Sequence, residues 1–241
     1  MRIKELFKAK SCDLTGASTV TVAFLGDSVT QGCFEVYKTS DKTLETVFEA
    51  KYAYHECVKR IFGLLYPSVP VNTINAGISG GGAPEGAERL ERDVLRYNPD
   101  LVVVCFGLND CYKREKEIGQ YTEALEKIFK NIKKSGAELI FMTPNMIDTK
   151  VSCHIEPDFI KDLAGEFAEI QNGGTLDAYI AAAKAVCAEN DVPVCDCYAM
   201  WKSMQRAGID TTELLSNKLN HPARELHWLF AYELVRLMLD I

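Results

Sequence analysis

The sequence predicts an α/β fold, a three-layer α/β/α sandwich built on a five-stranded parallel sheet. Three observations carry this. Five short apolar runs alternate with helix-length amphipathic stretches along the 241 residues. The runs are brief, rich in β-branched and aromatic residues, and apolar almost throughout, as strands buried on both faces are. Gly, Asn, Asp and Ser gather directly behind the runs, at the carboxyl ends where open parallel sheets bind their ligands.

The runs are Val20 to Leu25, Val69 to Ile74, Leu101 to Phe106, Glu138 to Thr143 and Val192 to Cys195. Helices are expected over Tyr52 to Tyr66, Pro84 to Arg96, Ile118 to Lys134 and Leu176 to Glu189, with a last one from Ala223 to Leu239. Right-handed crossovers between parallel strands then place helices on both faces of one sheet. The segment Asn145 to Gly174 has no assigned place beyond a helix fitting Pro157 to Ile170. It is expected either to wall the ligand edge as a lid or to pad the surface. At this length one sheet and one core suffice, so residues 1–241 read as a single domain.

Composition narrows the function classes. Apolar residues make up 47% and charged residues 25%, which suits an ordinary globular core. A formal net charge of −7 with no basic face argues against a nucleic-acid partner, since phosphate neutralisation needs clustered Lys and Arg. The short basic stretch from Lys130 to Lys134 lies on an amphipathic helix. Nine cysteines are scattered through the chain, several inside apolar patterns, and the reading is reduced thiols in a cytoplasmic protein. There is no zinc-type Cys-x-x-Cys pair, and Cys195 and Cys197 are expected to point to opposite faces of a strand, so no metal and no cofactor is expected. The beginning, MRIKELFKAKSCDL, lacks an apolar stretch long enough for a signal peptide, and no membrane association is expected.

Four pieces bear chemistry. GDSVTQG, Gly26 to Gly32, follows the first strand, and a serine at such a turn presents its Oγ at the sheet edge with its own N–H free to donate. Alone, it reads as a helix cap beside a turn glycine. Thr30 stands where a Gly-x-Ser-x-Gly elbow has its second glycine. NAGISGGG, Asn75 to Gly82, follows the second strand. Gly77 permits a close backbone approach that aims an N–H into the site, while Gly80 to Gly82 also invites a phosphate-loop reading. FGLND, Phe106 to Asp110, follows the third strand. The Asn109 amide there suits an oxyanion better than a neutral carbonyl, although a lone Asn-Asp is a turn. LNHPARELHWLFA, Leu219 to Ala231, puts His221 just before the last helix, with Pro222 near its first turn. Imidazole is the group best suited to take a hydroxyl proton near neutral pH. His227 and His55 read as packing residues and His154 is undecided.

In this order the four blocks resemble the SGNH, or GDSL-type, hydrolases, over residues 20 to 240. The resemblance implies a flavodoxin-like SGNH fold in which Ser28 attacks an ester carbonyl and His221 shuttles its proton. It also implies an oxyanion hole made by the N–H groups of Ser28 and Gly77 with the Asn109 side chain, leaving Asp27 and Asp110 as scaffold. One departure matters. The family usually carries an Asp three residues before the histidine, and that position is Lys218. Asn217, Asn220, Glu213 and Asp210 lie near, and a backbone carbonyl is a further acceptor for Nδ1–H, so the expectation is a Ser–His dyad or a displaced acid.

The expected activity is hydrolysis of short-chain, acetyl-type esters of a carbohydrate or small metabolite through an acyl-enzyme. The alternatives are a lipase or lysophospholipase-type acylhydrolase, a non-catalytic ligand-binding domain on the same fold, and a flavodoxin-like phosphate or nucleotide binder. Phe34, Tyr37 and Trp201 are candidates to stack on a sugar ring, with core packing the simpler role for each. The partner is a small-molecule ester, and the sequence leaves its alcohol and the oligomeric state open.

Overall fold

The computed structural model describes residues 1–40, 43–112, 117–155 and 158–241. Its chain runs α1 (Arg2–Cys12), β1 (Val20–Gly26), a one-turn α2 (Ser28–Gln31), β2 (Cys33–Ser40), β3 (Thr43–Phe48), α3 (Tyr54–Leu65), β4 (Val71–Gly77), α4 (Ala83–Asp93), β5 (Leu101–Cys105), α5 (Leu108–Tyr112), α6 (Ile118–Ser135), β6 (Glu138–Met142), α7 (Asp158–Asn172), α8 (Thr175–Glu189), β7 (Val194–Cys195), α9 (Cys197–Arg206) and α10 (Leu226–Leu239). The start foreseen for the seventh helix, Pro157, lies outside the described residues.

Five strands form the parallel sheet in the order β4-β1-β5-β6-β7, and β2 and β3 form a separate antiparallel hairpin. β5, LVVVC, is buried at every position, which is why its run carries no polar alternation. Helices α1, α3 and α10 pack together over one face, and α4, α6 and α8 over the other. The chain leaves β1 first to one side, to β4, and then returns to its other side, to β5. The order therefore reverses between β1 and β5, and a crevice opens there beyond the strands' carboxyl ends. Gly26 of β1 is level with Gly77 of β4 and Cys105 of β5, so three loops emerge side by side.

Several expectations are revised. The hairpin Cys33–Phe48 and helix α1 were not foreseen. The last strand contracts at its start to two residues, Val194–Cys195, because the Val192 N–H turns back to the Cys187 carbonyl at 2.9 Å and Pro193 has no N–H to give a ladder. Cys195 and Cys197 do not point apart: their Sγ atoms are 3.8 Å from each other, both buried. Residues two apart in extended chain share a face, and the turn into α9 keeps these two together. The last helix begins at Leu226, not Ala223, since Pro222 pairs with Leu215 in an isolated bridge and the Ala223 N–H goes to the Leu214 carbonyl.

Candidate active site

Ser28 opens α2 directly behind β1. Asp27 caps that turn, its Oδ1 accepting the Val29 N–H at 2.9 Å. As first residue of the helix, Ser28 has an N–H with no intrahelical acceptor, the arrangement an anionic oxygen needs. His221 comes from the far end of the chain, and its Nε2 lies 3.0 Å from Ser28 Oγ. Its Nδ1 lies 2.8 Å from the Phe34 carbonyl oxygen. A carbonyl can only accept, so Nδ1 carries the proton and Nε2 presents a lone pair to the serine hydroxyl. Ser28 and His221 are 4% and 6% exposed. Burial lowers the His221 pKa below its ordinary value, opposed by the Phe34 hydrogen bond and the Glu35 charge. The imidazole is therefore neutral, and able to accept, at neutral pH.

The Nδ1 acceptor is thus a main-chain carbonyl of the hairpin. Lys218 has its ammonium on Glu213, at 3.0 Å, and a left-handed backbone with φ 57°. Glu213 is engaged elsewhere as well, accepting from Ser152 Oγ at 2.7 Å, and Asp210 pairs with Lys150. Neither orients the imidazole. Asn217, four residues before His221, does different work: its Oδ1 accepts the N–H groups of Leu219, Asn220 and His221 at 3.0, 3.0 and 2.9 Å.

Asn109 is half-buried and donates through Nδ2 to the Gly81 carbonyl at 2.9 Å, which leaves its second amide hydrogen. The backbone reaches it through Gly107 at φ 136°, a conformation open to glycine. Gly77 does mark a close backbone approach, but to a different neighbour than foreseen. A Cβ at position 77 would stand 2.2 Å from the Gln31 nitrogen, and its own N–H donates to Asn75 Oδ1 at 3.0 Å. Asp110 Oδ1 accepts the Ala83 N–H at 2.9 Å and so anchors α4. Asp27 and Asp110 are buried scaffold. Desolvation pushes their carboxyls up to about 7 and about 6, respectively.

Some supporting residues escaped the sequence reading. Arg89, buried at 7% exposure, donates to the Gly26 carbonyl at 2.8 Å and the Ala76 carbonyl at 2.6 Å, stapling the strand ends that carry Ser28 and Gly77. Its place in an amphipathic helix gave no sign of this. The segment 145–174 braces the histidine loop: Asn145 Nδ2 donates to the Asn220 carbonyl at 2.8 Å, Asp148 N–H to the Leu219 carbonyl at 2.7 Å, and Ile160 and Ala164 of α7 pack on Leu219. Phe34 and Trp201 are fully buried, whereas Tyr37 is 51% exposed on the hairpin. His227 and His55 are core residues, and His154 is exposed. Among the described residues no group of three or more His, Cys, Asp or Glu is placed to hold a metal ion. No helix among them is long and apolar enough to cross a membrane.

Known proteins share this plan. An acetylxylan esterase from Geobacillus stearothermophilus is 27% identical over 134 residues, covering 52% of this chain and 59% of that relative's own length. A solved mutant of the acetyl-xylooligosaccharide esterase Axe2 from the same genus superposes with a TM-score of 0.67 at 22% identity, over 92% of this chain and 94% of the other. A lipase/acylhydrolase from Enterococcus faecalis gives 0.66 at 23% identity over 92% and 96%. A two-domain esterase active on acetylated mannans gives 0.66 at 19% identity, over 99% of this chain and 52% of the other. These structural likenesses establish the fold. The profile of the GDSL-like lipase/acylhydrolase family matches residues 24–229, and the chain belongs to that family.

Proposed function

We propose that this chain is a serine esterase that hydrolyses short, acetyl-type esters of a carbohydrate or small metabolite. The observation that carries the reading is the Ser28 Oγ to His221 Nε2 contact of 3.0 Å, made by an imidazole whose Nδ1 proton is already committed to a carbonyl. That tautomer has its base facing the hydroxyl. Ser28 attacks the ester carbonyl carbon as Nε2 takes its proton. The imidazolium formed is stabilised by the Phe34 carbonyl dipole and by the nearby Glu35 charge. Nε2 then returns the proton to the leaving alcohol oxygen, and water repeats the sequence on the acyl-enzyme.

For the developing oxyanion the donors are the Ser28 N–H and the second Asn109 amide hydrogen. Gly77 N–H joins them as a shared bond, since Asn75 Oδ1 already accepts from it. One such donor is worth about 10²–10³ in rate. The acetyl-ester and carbohydrate parts of the reading draw support from the names of the relatives, three of them acetyl-sugar esterases. The non-catalytic alternative drew on the missing aspartate, and the Phe34 carbonyl supplies that acceptor. A single domain is supported by one apolar cluster running from Ile3 to Met238, and a cytoplasmic setting by nine unpaired cysteines.

The test compares acetyl, butyryl and palmitoyl esters of 4-nitrophenol, then acetylated xylo-oligosaccharides, on wild type and on Ser28→Ala, His221→Ala and Asn109→Ala. Acetyl ester is expected to be turned over fastest. The first two variants lose turnover and the third keeps a residue, about 10²–10³ below wild type. Wild-type rates in Ser28→Ala would falsify the assignment, and a preference for palmitoyl ester would move it to the lipase class.

A further inference from the structure

The atom that holds the catalytic imidazole belongs to a hairpin outside the main sheet. Among the described residues β2 and β3 pair only with each other, and a two-stranded hairpin is marginal by itself in water. The 2.8 Å contact between the Phe34 carbonyl and His221 Nδ1 therefore needs a fastener between the hairpin and the histidine's own segment. Arg224, three residues beyond His221, is placed to be that fastener. Its Nη1 and Nη2 meet Glu35 Oε1 and Oε2 at 2.5 and 2.8 Å in a two-pronged pair, and its Nε meets Glu49 Oε2 at 2.7 Å, with Nη2 on the same oxygen. Glu35 directly follows Phe34, and Glu49 directly follows β3. The guanidinium also lies 4.4 Å from the centre of the Phe34 ring, and the Glu49 N–H closes the hairpin base on the Gly32 carbonyl at 2.8 Å.

Resting on the reading of Ser28 and His221 as the reacting pair, we propose that Arg224 is a positioning residue that substitutes for the missing aspartate. By clamping Glu35, Glu49 and the Phe34 ring, it keeps a main-chain carbonyl on Nδ1. One planar guanidinium reaches two carboxylates and an aromatic face at once, which a lysine ammonium cannot do. Held there by Arg224, the Glu35 carboxylate also favours the protonated form of the imidazole during reaction. An ion pair serving stability alone, at a site 26% exposed, would add little and would not touch the tautomer.

The experiment compares wild type with Arg224→Met and Arg224→Lys, and uses Arg236→Met, whose arginine pairs with Glu233 on the outer side of α10, as control. Ring-nitrogen NMR of His221 reads the tautomer, and ester kinetics are measured alongside. Wild type is expected to hold the Nδ1–H tautomer. In Arg224→Met kcat falls about a hundredfold while KM stays within about twofold, as displacement of a catalytic group by about 1 Å produces. His221 in that variant drifts towards the Nε2–H form, Arg224→Lys falls between, and Arg236→Met matches wild type. An Arg224→Met protein that keeps the wild-type tautomer, or the wild-type kcat, overturns the proposal. Should Arg224→Met not fold, Arg224→Lys carries the same readout, since an ammonium cannot hold both carboxylates and the Phe34 ring, and wild-type tautomer and kcat in that variant overturn the proposal. If wild type shows no esterase turnover, the functional reading fails by itself, and the tautomer measurement still decides the role of Arg224.

Discussion

Replacing Asn217 by alanine removes one oxygen on which three consecutive backbone N–H groups converge, those of Leu219, Asn220 and His221. Asn217 is 7% exposed, so water reaches the vacated donors poorly. At about 0.5–1.5 kcal/mol for each net hydrogen bond, the loss comes to about 2–4 kcal/mol. For a chain of this size each kcal/mol lowers Tm by about 2–4 °C, which gives a fall of about 5–15 °C. Activity should suffer beyond stability. The three bonds shape the loop that carries the imidazole, and a shift of about 1 Å at Nε2 costs about a hundredfold in kcat. Asn217→Asp keeps the accepting oxygen and loses only the Nδ2 bond to Asn220 Oδ1, so it should stay within about 1 kcal/mol of wild type. Urea unfolding followed by tryptophan fluorescence, with ester turnover at a temperature where both variants are folded, measures the two effects. If Asn217→Ala loses under about 1 kcal/mol and keeps wild-type kcat, the loop does not depend on this hub and the reasoning fails.

Glu213→Gln and Lys218→Ala should each leave kcat within about threefold of wild type, because their charges meet each other and Ser152 and not the imidazole; a loss above tenfold in Glu213→Gln would restore it as the orienting acid. The acid limb of kcat/KM should rise with an apparent pKa below 6.5, since burial lowers that of His221 and the neutral ring is the active form; a midpoint above 6.5 contradicts this. His55 is buried with its Nδ1 3.7 Å from Glu56 Oε1, beyond hydrogen-bond reach, and desolvation outweighs that carboxylate to lower its pKa to about 4. Its neutral form folds and its charged form resists folding, so stability present above 6.5 is lost as pH falls from 6.5 towards 4, a loss of roughly 3 kcal/mol. The raised carboxyls of Asp27 and Asp110 act the other way, contributing below their ordinary value of 3.8 and losing that as pH rises through about 6 to 7. His55→Phe should therefore flatten the acid side of the stability curve; an unchanged curve from urea melts at pH 4.5 and 7 would remove His55 as a cause.

The sheet was legible because its strands are buried on both faces. Five apolar runs separated by amphipathic stretches leave little else for the chain to do, and β1, β5 and β6 lie within a residue of where their runs predict. The hairpin escaped notice although Phe34 to Phe48 alternates in part. The sequence around it has no Asn-Gly or Asp-Gly pair of the kind that marks a two-residue connection. The serine was legible behind a strand and the histidine just before the last helix, and the fold brings them together across 193 positions. What orients the histidine was not. A carboxylate can be sought by its letter, whereas any residue supplies a carbonyl, and only the placement of Phe34 distinguishes its own. Arg224 and Arg89 hide for a related reason, since their partners lie far away in sequence. Gly77 shows the converse, a residue identified for the close approach it permits, with the Gln31 backbone as the neighbour it makes room for.

The most direct test is reaction of the folded chain with a fluorophosphonate, followed by mass spectrometry of its peptides. The Ser28–His221 pair predicts a single phosphonyl group on Ser28 in wild type, none at that position in Ser28→Ala, and labelling in His221→Ala slowed by at least about a hundredfold. An unmodified Ser28 in wild type, or equal labelling with and without the imidazole, would contradict the account.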